Sequence, residues 1–380
     1  YDPHSNYYAP IEAMELNRQT TLALEGIGVS IRPERGNEDY TRVETIVDGG
    51  PASKSGQVKS GDRIVGVGQD GEPIVDVVGW PSGEIVGLIR GKRGTKVTLR
   101  LLATGAAANQ ARVVSLTRDI IQEEDSGVRS RVVNVRRDGT EHKIGVIEIP
   151  SFYLNYRARR DGDNYRSVSQ DTQKALVSLK AQDVTGIVVD LRNNPGGSLE
   201  EVARMLGQFI KQGPVVQIRD GNGNVNVFRD EDGGERVYEG PLAVIINLAS
   251  ASASEIFSAA IQDYQRGIVI GSTTTGKGTA QVQLDSLAYG QATLTQRKFY
   301  RITGGSTQNK GVVPDTPLIN IYDEELGERK AKNALKWDTI QTAPYVREGV
   351  VAPFISQINQ MSATRTATEP QFKYLSALKK

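Results

Sequence analysis

Between residues 21 and 118 the chain reads as short β-branched and aliphatic runs cut by glycine. They are Gly26-Ile-Gly-Val-Ser-Ile31, Arg42-Val-Glu-Thr-Ile-Val47, Gly61-Asp-Arg-Ile-Val-Gly-Val67, Lys96-Val-Thr-Leu-Arg-Leu-Leu102 and Arg112-Val-Val-Ser-Leu116. Such runs predict short strands, whereas Ser82 to Arg90 places Ile85, Val86 and Ile89 on one helical face. The expectation is a small barrel or sandwich with one helix, with Thr104 to Asn109 as a loop between its last two strands.

From about Ile120 the period changes. After a charged, strand-like connector, strands (Lys143 to Ile149, Gly186 to Leu191, Leu242 to Ile246, Gly267 to Ile270) alternate with helices (Val168 to Leu179, Leu199 to Ile210, Ala253 to Ile261). Continuous apolar strands separated by helices predict an α/β layer with both sheet faces covered, the natural home of a catalytic site. Further on, Ala292 to Ile302 reads as one or two strands and Asp323 to Leu335 as a charged helix, while Ser362 to Lys380 shows no clear period. The expected division is an N-terminal segment 1–20 belonging to a truncated upstream region, a small β domain 21–118, an α/β core 119–320 and a helical tail 321–380.

The length of 380 residues fits two or three domains. Lys and Arg total 46 against 45 Asp and Glu, a balance unlike that of a nucleic-acid coat or a polybasic membrane binder. The basic run Arg157 to Arg160 precedes Asp161 and Asp163 and reads as a solvated loop rather than a nucleic-acid patch. No apolar run approaches 18 residues, so no transmembrane segment is predicted. The chain opens at Tyr1-Asp-Pro-His4 with no signal-peptide pattern, which suggests a fragment or a mature segment. There is no cysteine, and the histidines are His4 and His142, both far in sequence from the motifs below. Cysteine nucleophiles, disulfides and cysteine-based metal sites are excluded, and a Ser-His-Asp triad has two imidazoles to draw on. The chemistry calls for another base.

Three loops offer it. Ser250-Ala-Ser-Ala-Ser-Glu255 follows an apolar strand and opens a helix. Ser252 and Glu255 have the spacing of a capping box, and the same position lends a serine unpaired N–H groups and the positive end of the helix dipole. Gly271-Ser-Thr-Thr-Thr-Gly-Lys-Gly-Thr279 nearly matches a phosphate-binding loop, but position 278 is glycine and the continuation alternates like a strand, where such a loop must open into a helix. What remains is Lys277 on a glycine turn, with Thr279 and Gln281 on its side of the strand, so that Gln281 can orient the amine. To act as a base this lysine must be neutral, and its ordinary pKa near ~10.4 has to fall by roughly three units through desolvation. Asp190-Leu-Arg-Asn-Asn-Pro-Gly-Gly-Ser198 is either an ordinary strand-to-helix loop or a source of a second oxyanion donor.

Taken in order and spacing, these three loops resemble those of the carboxyl-terminal processing proteases, also called tail-specific proteases, of the bacterial periplasmic type. Tyr1 to Ser5, Gly61 to Gly68 and Lys298 to Gln308 extend the likeness over roughly residues 1–320. The resemblance implies an α/β serine-protease core of the ClpP/crotonase-like kind preceded by a PDZ domain. It implies Ser252 as nucleophile, Lys277 as base, Gln281 holding the lysine, and the N–H groups of Gly197 and Ala253 as oxyanion hole. Nothing local separates Ser252 from Ser250 or Ser254. Thr275 stands where the family often has a bulkier residue. Gly26, Ile27, Gly28 and Val29 would form the loop that binds a substrate's C-terminal carboxylate, with Ser82 to Arg90 as the other groove wall. Also implied are substrates with apolar C-termini, an adaptor or lipoprotein partner, a periplasmic location, and no need for a metal or nucleotide. The competing readings are a non-catalytic PDZ scaffold and a nucleotide enzyme built on residues 271–279.

Overall fold

The glycine-cut runs of the first third become one antiparallel sheet. It is made of β1 (Val29–Glu34), β2 (Asn37–Ile46), β3 (Arg63–Gln69), β4 (Lys96–Leu102) and β5 (Arg112–Thr117), in chain order, with the two-residue strand Val75–Asp76 added on β3. In β4, Val97, Leu99 and Leu101 alternate inward onto Ile85 and Ile89 of helix α1 (Ser82–Ile89), as a half-buried strand requires. Val86 is only half-buried. Strand β1 is an edge of the sheet with α1 beside it. Ala23–Gly26 pairs with Asp119–Gln122, which joins the two ends of this unit. The computed structural model describes residues 2–21, 23–122, 127–160, 162, 165–230, 236–284, 287, 289–320, 327–349 and 351–378. They form two units, Leu22–Asp125 and Tyr1–Thr21 with Ser126–Lys380.

The second unit is the expected α/β layer. The hairpin β6 (Arg129–Arg137) and β7 (Thr140–Glu148) leads into parallel strands, which cannot be joined by tight turns and so alternate with helices. In order along the chain the elements that follow are α2 (Val168–Lys180), β8 (Gly186–Asp190), α3 (Leu199–Gly207), β9 (Pro214–Asp220), β10 (Val225–Arg229), β11 (Leu242–Ile246), α4 (Ala253–Asp263), β12 (Ile268–Gly271), β13 (Thr279–Leu284), β14 (Gln291–Tyr300) and β15 (Thr316–Pro317), of which β8, β11, β12 and β15 are the parallel strands and β9, β10, β13 and β14 pair antiparallel. The main sheet runs β6-β7-β8-β11-β12-β15. A second sheet, in which Asn6–Tyr8, β14, β9 and β10 are neighbours in that order and β13 also pairs with β14, lies apart from it. Helix α4 packs against both β9 and β12, and every residue of it except Gln262 is buried. A helix covered on both sides loses its amphipathic stripe.

Strands β9 and β10 have no counterpart in the pattern reading, although Val215, Val216 and Ile218 are buried. Of the charged helix expected from Asp323 to Leu335, residues 323–326 lie outside the described residues, and residues 327–335 hold a single 3-10 turn, Glu328–Lys330, followed by turns in place of the helix. Within the expected helical tail, helices α5 (Ala352–Thr368) and α6 (Pro370–Leu378) are formed and run through most of the stretch from Ser362 that shows no clear period; neither buries a residue, so no apolar stripe marks them. Tyr156–Arg160 is a helical turn rather than an open loop, with Arg159 paired to Glu200.

Candidate active site

Strand β11 ends at Ile246, and the chain turns through Asn247 to Ser252 into α4. Its three serines have different surroundings. Ser250 is fully buried; its Oγ donates to the Leu191 carbonyl at 2.8 Å and accepts from Asn247 N–H at 2.9 Å. Ser254 is also fully buried and donates to the Asn194 carbonyl at 3.0 Å. Ser252 is only partly buried, and its backbone sits at φ 55°, ψ −112°. Strained geometry of this kind, held by its surroundings, is how a strand-to-helix turn lifts a hydroxyl out at a helix N-terminus.

The Pro-Gly-Gly loop closes on this turn. The Asn194 carbonyl, besides bonding Ser254, accepts the Ala251 N–H at 3.0 Å, while the Asn194 side chain donates to the Ile149 carbonyl and accepts from Gly196 N–H. Glycine is required at 196: its φ is +105°, and a Cβ there would lie 2.8 Å from the Ser252 Cβ and 3.0 Å from the Ala253 nitrogen. Gly197 (φ +141°) bridges to Phe152, whose carbonyl takes the Ser198 N–H and whose own N–H bonds the Gly196 carbonyl. Neither the Gly197 nor the Ala253 N–H finds an acceptor among the described residues. Two backbone donors are thus left beside the Ser252 turn, an arrangement suited to a developing oxyanion.

Residues 272–278 run without helix or strand into β13, so the phosphate-loop reading lacks its helix. Thr275 ties this segment to the serine turn, its N–H donating to the Ser250 carbonyl at 3.1 Å and its hydroxyl to that of Leu248 at 2.7 Å. The principal link is Glu255. One carboxylate oxygen accepts the N–H groups of both Ser252 (2.8 Å) and Lys277 (2.9 Å). The other accepts Gly276 N–H (2.8 Å) and the Thr274 hydroxyl (2.6 Å). Thr274 Oγ1 in turn receives the Val312 N–H, so its proton is committed to the carboxylate. Burial pushes the Glu255 pKa up to about 7, against the pull of its four hydrogen bonds. The capping-box spacing showed the contact with Ser252; the second role, gripping the lysine turn, depends on segments that meet only in the fold.

Desolvation also draws the Lys277 pKa down, opposed by the charges of Glu328, Glu255 and Asp2. Its amine makes no hydrogen bond among the described residues. Gln281 Nε2 donates to the hydroxyls of Thr279 and Thr295, both at 3.0 Å, which fixes the amide without placing it on the lysine. Thr295 donates on to Asp2 at 2.6 Å. His4, remote in sequence, meets Glu328 at 2.7 Å, whereas His142 lies on the β6–β7 hairpin. Two crevices of about 660 and 800 Å³ open at the carboxyl ends of the parallel strands, one lined by Leu248, Thr274 and Thr275, the other by Asp190, Arg192 and Asn247. Helix α6 reaches the first with Ser376 and the second with Phe372 and Leu375.

Ser252, Ala253, Gly197, Lys277 and Gln281 therefore belong to one unit. Gly26, Ile27, Gly28 and Val29 belong to the other: the first three are buried, Gly28 has φ +76°, and Val29 begins the edge strand β1.

Residues 143–318 match Peptidase family S41, residues 15–102 match the PDZ domain family, and residues 321–379 match the C-terminal domain of tail specific protease. The tail-specific protease of Haemophilus influenzae is 40% identical over 98% of this chain and 52% of its own length. The carboxy-terminal-processing protease of Bartonella bacilliformis is 30% identical over 88% of this chain and 72% of its own. This chain thus spans about half the length of the Haemophilus relative. Among solved structures, the photosystem II D1 C-terminal processing protease is 27% identical, covers 83% of this chain and 78% of its own, and has a TM-score of 0.45. The PDZ domain of the carboxy-terminal protease from Vibrio cholerae, in complex with peptide, is 47% identical over 26% of this chain and 98% of its own, with a TM-score of 0.25.

Proposed function

The chain belongs to peptidase family S41, the carboxyl-terminal processing serine proteases with a PDZ domain, and from that premise we propose that it cleaves peptide bonds with a Ser252–Lys277 dyad. The observation that carries the reading is the single Glu255 oxygen shared by the N–H groups of Ser252 and Lys277, which holds the two turns together. Neutral Lys277 takes the Ser252 proton, Ser252 Oγ attacks the carbonyl, and the Gly197 and Ala253 N–H groups receive the oxyanion. The protonated lysine gives its proton to the leaving amine, and water then releases the acyl group. Gln281, fixed by two threonines, offers its carbonyl oxygen to the amine as it charges.

Substrates are unfolded or extended proteins with apolar C-termini. The carboxylate docks on Gly26 to Val29, and the tail adds to the open edge of β1 beside α1. The location is the periplasm, with an adaptor or lipoprotein partner. The test is mass spectrometry of an unfolded reporter with an apolar tail, incubated with this chain and with its Ser252→Ala variant. Internal cleavage that needs Ser252 is expected; products identical in both incubations would refute the protease reading. Equal cleavage of a reporter ending in charged residues would refute the docking step alone.

A further inference from the structure

Two of the three acidic groups that act on Lys277 come from outside the segment matched to Peptidase family S41: Asp2 before it and Glu328 after it. Glu328 is 3% exposed, and it grips the lysine turn at both ends. Its N–H donates to the Thr275 carbonyl at 2.8 Å. Its side chain works through Gln308, whose Nε2 donates to Glu328 Oε1 at 2.9 Å and whose Oε1 accepts the Gly278 N–H at 2.8 Å. The second Glu328 oxygen faces His4 Nε2 at 2.7 Å. An ionised carboxylate can only accept, so this ring nitrogen carries the proton and donates. His4 itself is held by the N-terminal segment, where Asp2 accepts from His4 N–H at 3.0 Å and from the Ser5 and Thr295 hydroxyls.

Resting on the dyad reading above, we infer that Glu328 and His4 are positioning residues for Lys277: the pair clamps the lysine turn and sets how much negative charge the amine meets. A base lysine has to be neutral before attack and charged after it, so its site needs desolvation tempered by acidic neighbours. Burial lowers the Lys277 pKa, and Glu328, Glu255 and Asp2 pull it back. Burial likewise pushes the Glu328 carboxyl up, but hydrogen bonds from His4 and Gln308, with the charges of His4 and Lys277, hold it below the usual carboxylate range. The imidazole thereby takes up part of the field that would otherwise fall on the lysine. Neither member of the pair touches the scissile bond in this scheme.

The experiment is the pH dependence of kcat/KM for reporter cleavage by this chain and by Glu328→Gln, His4→Phe, His4→Gln and Lys277→Ala. Glu328→Gln removes a charge but keeps the shape, and it should move the limb set by lysine deprotonation to lower pH by roughly one unit. His4→Phe removes the donor and leaves Glu328 less compensated, so the limb should move to higher pH. His4→Gln, which keeps an N–H, should return it toward the parent position. Glu255 contributes equally to every profile, so only differences between variants count. Far-UV circular dichroism over the same pH series reports on the folded fraction. If Glu328→Gln fails to fold, the two His4 variants carry the test, because that ring is partly exposed. Unmoved limbs with lowered plateaux would overturn the inference and make the pair merely structural. Parent-level cleavage by Lys277→Ala would instead overturn the dyad reading beneath it.

Discussion

The serine turn and the lysine turn share Glu255, and the rest of their support differs in kind. The serine turn is locked by neighbouring backbone: carbonyls of Leu191 and Asn194 take the flanking hydroxyls, and glycine at 196 lets one loop lie directly on the other. On the dyad reading, its chemistry rests on backbone strain, with Ser252 at φ 55°. The lysine turn has no secondary structure of its own and is held by buried side chains, above all Glu255, Gln308 and Glu328. On the same reading, its chemistry rests on burial and charge. A nucleophile needs a direction, which backbone supplies; a base needs a tuned pKa, which takes a low-dielectric pocket and chosen neighbours.

Substitutions can break this contrast. The largest effect is expected from Ser252→Ala and Lys277→Ala, each lowering kcat/KM on the order of 10⁴-fold or more, with the double variant no worse than either, since groups acting as a unit are not additive. An additive double variant would show that the two turns act independently. Next comes Gly197→Ala. A Cβ there would lie 2.3 Å from the Phe152 carbonyl oxygen, so the donor must shift, and kcat should fall about 10²- to 10³-fold with KM little changed. Glu255→Gln should follow at about 10- to 10²-fold, because an amide nitrogen cannot accept the N–H groups that one carboxylate oxygen now takes. The loss should appear in both fluorophosphonate labelling and peptide turnover if Glu255 holds both turns. Ser250→Ala should leave the chemistry intact and cost about 1–3 kcal/mol in a denaturant melt, since it leaves the Asn247 N–H without its acceptor.

A last effect is a pH dependence of stability. Glu255 is raised to about 7 in the folded chain from an ordinary 4.5. Between those values the folded state binds a proton that the unfolded chain does not. The stability contribution is therefore fully present below about pH 4.5 and is lost as pH rises through 7. Glu255→Gln should flatten the Tm profile over this window, and an unchanged slope would remove Glu255 as its source.

Much of the site was legible because its parts are local motifs. A strand, three serines and a glutamate three residues on mark a helix N-terminus wherever they occur, and a lysine between glycines followed by alternation marks a turn into a strand. The choice of Ser252 over Ser250 and Ser254 was not legible from local composition, since burial and φ separate them and neither has a sequence signature. Thr275 is a similar case: its hydroxyl ties the lysine turn to the Leu248 carbonyl, and nothing in the sequence indicates that contact. His4 lies far in sequence from the serine and lysine loops, yet 324 residues of separation from Glu328 close to 2.7 Å. The second sheet went unread at β9 and β10.

By itself, the sequence determined the alternation of elements, the glycine positions and the shortage of imidazole that makes lysine the candidate base. These follow from side-chain period and chemical inventory, which are properties of short windows. Only the tertiary structure decided which serine is strained and left partly accessible, that Glu255 serves two turns at once, and that Asp2 and Glu328 act on one amine while His4 pairs with Glu328. Those outcomes depend on burial and on charge separation in three dimensions, and residues hundreds of positions apart acquire them only when the sheets close around α4.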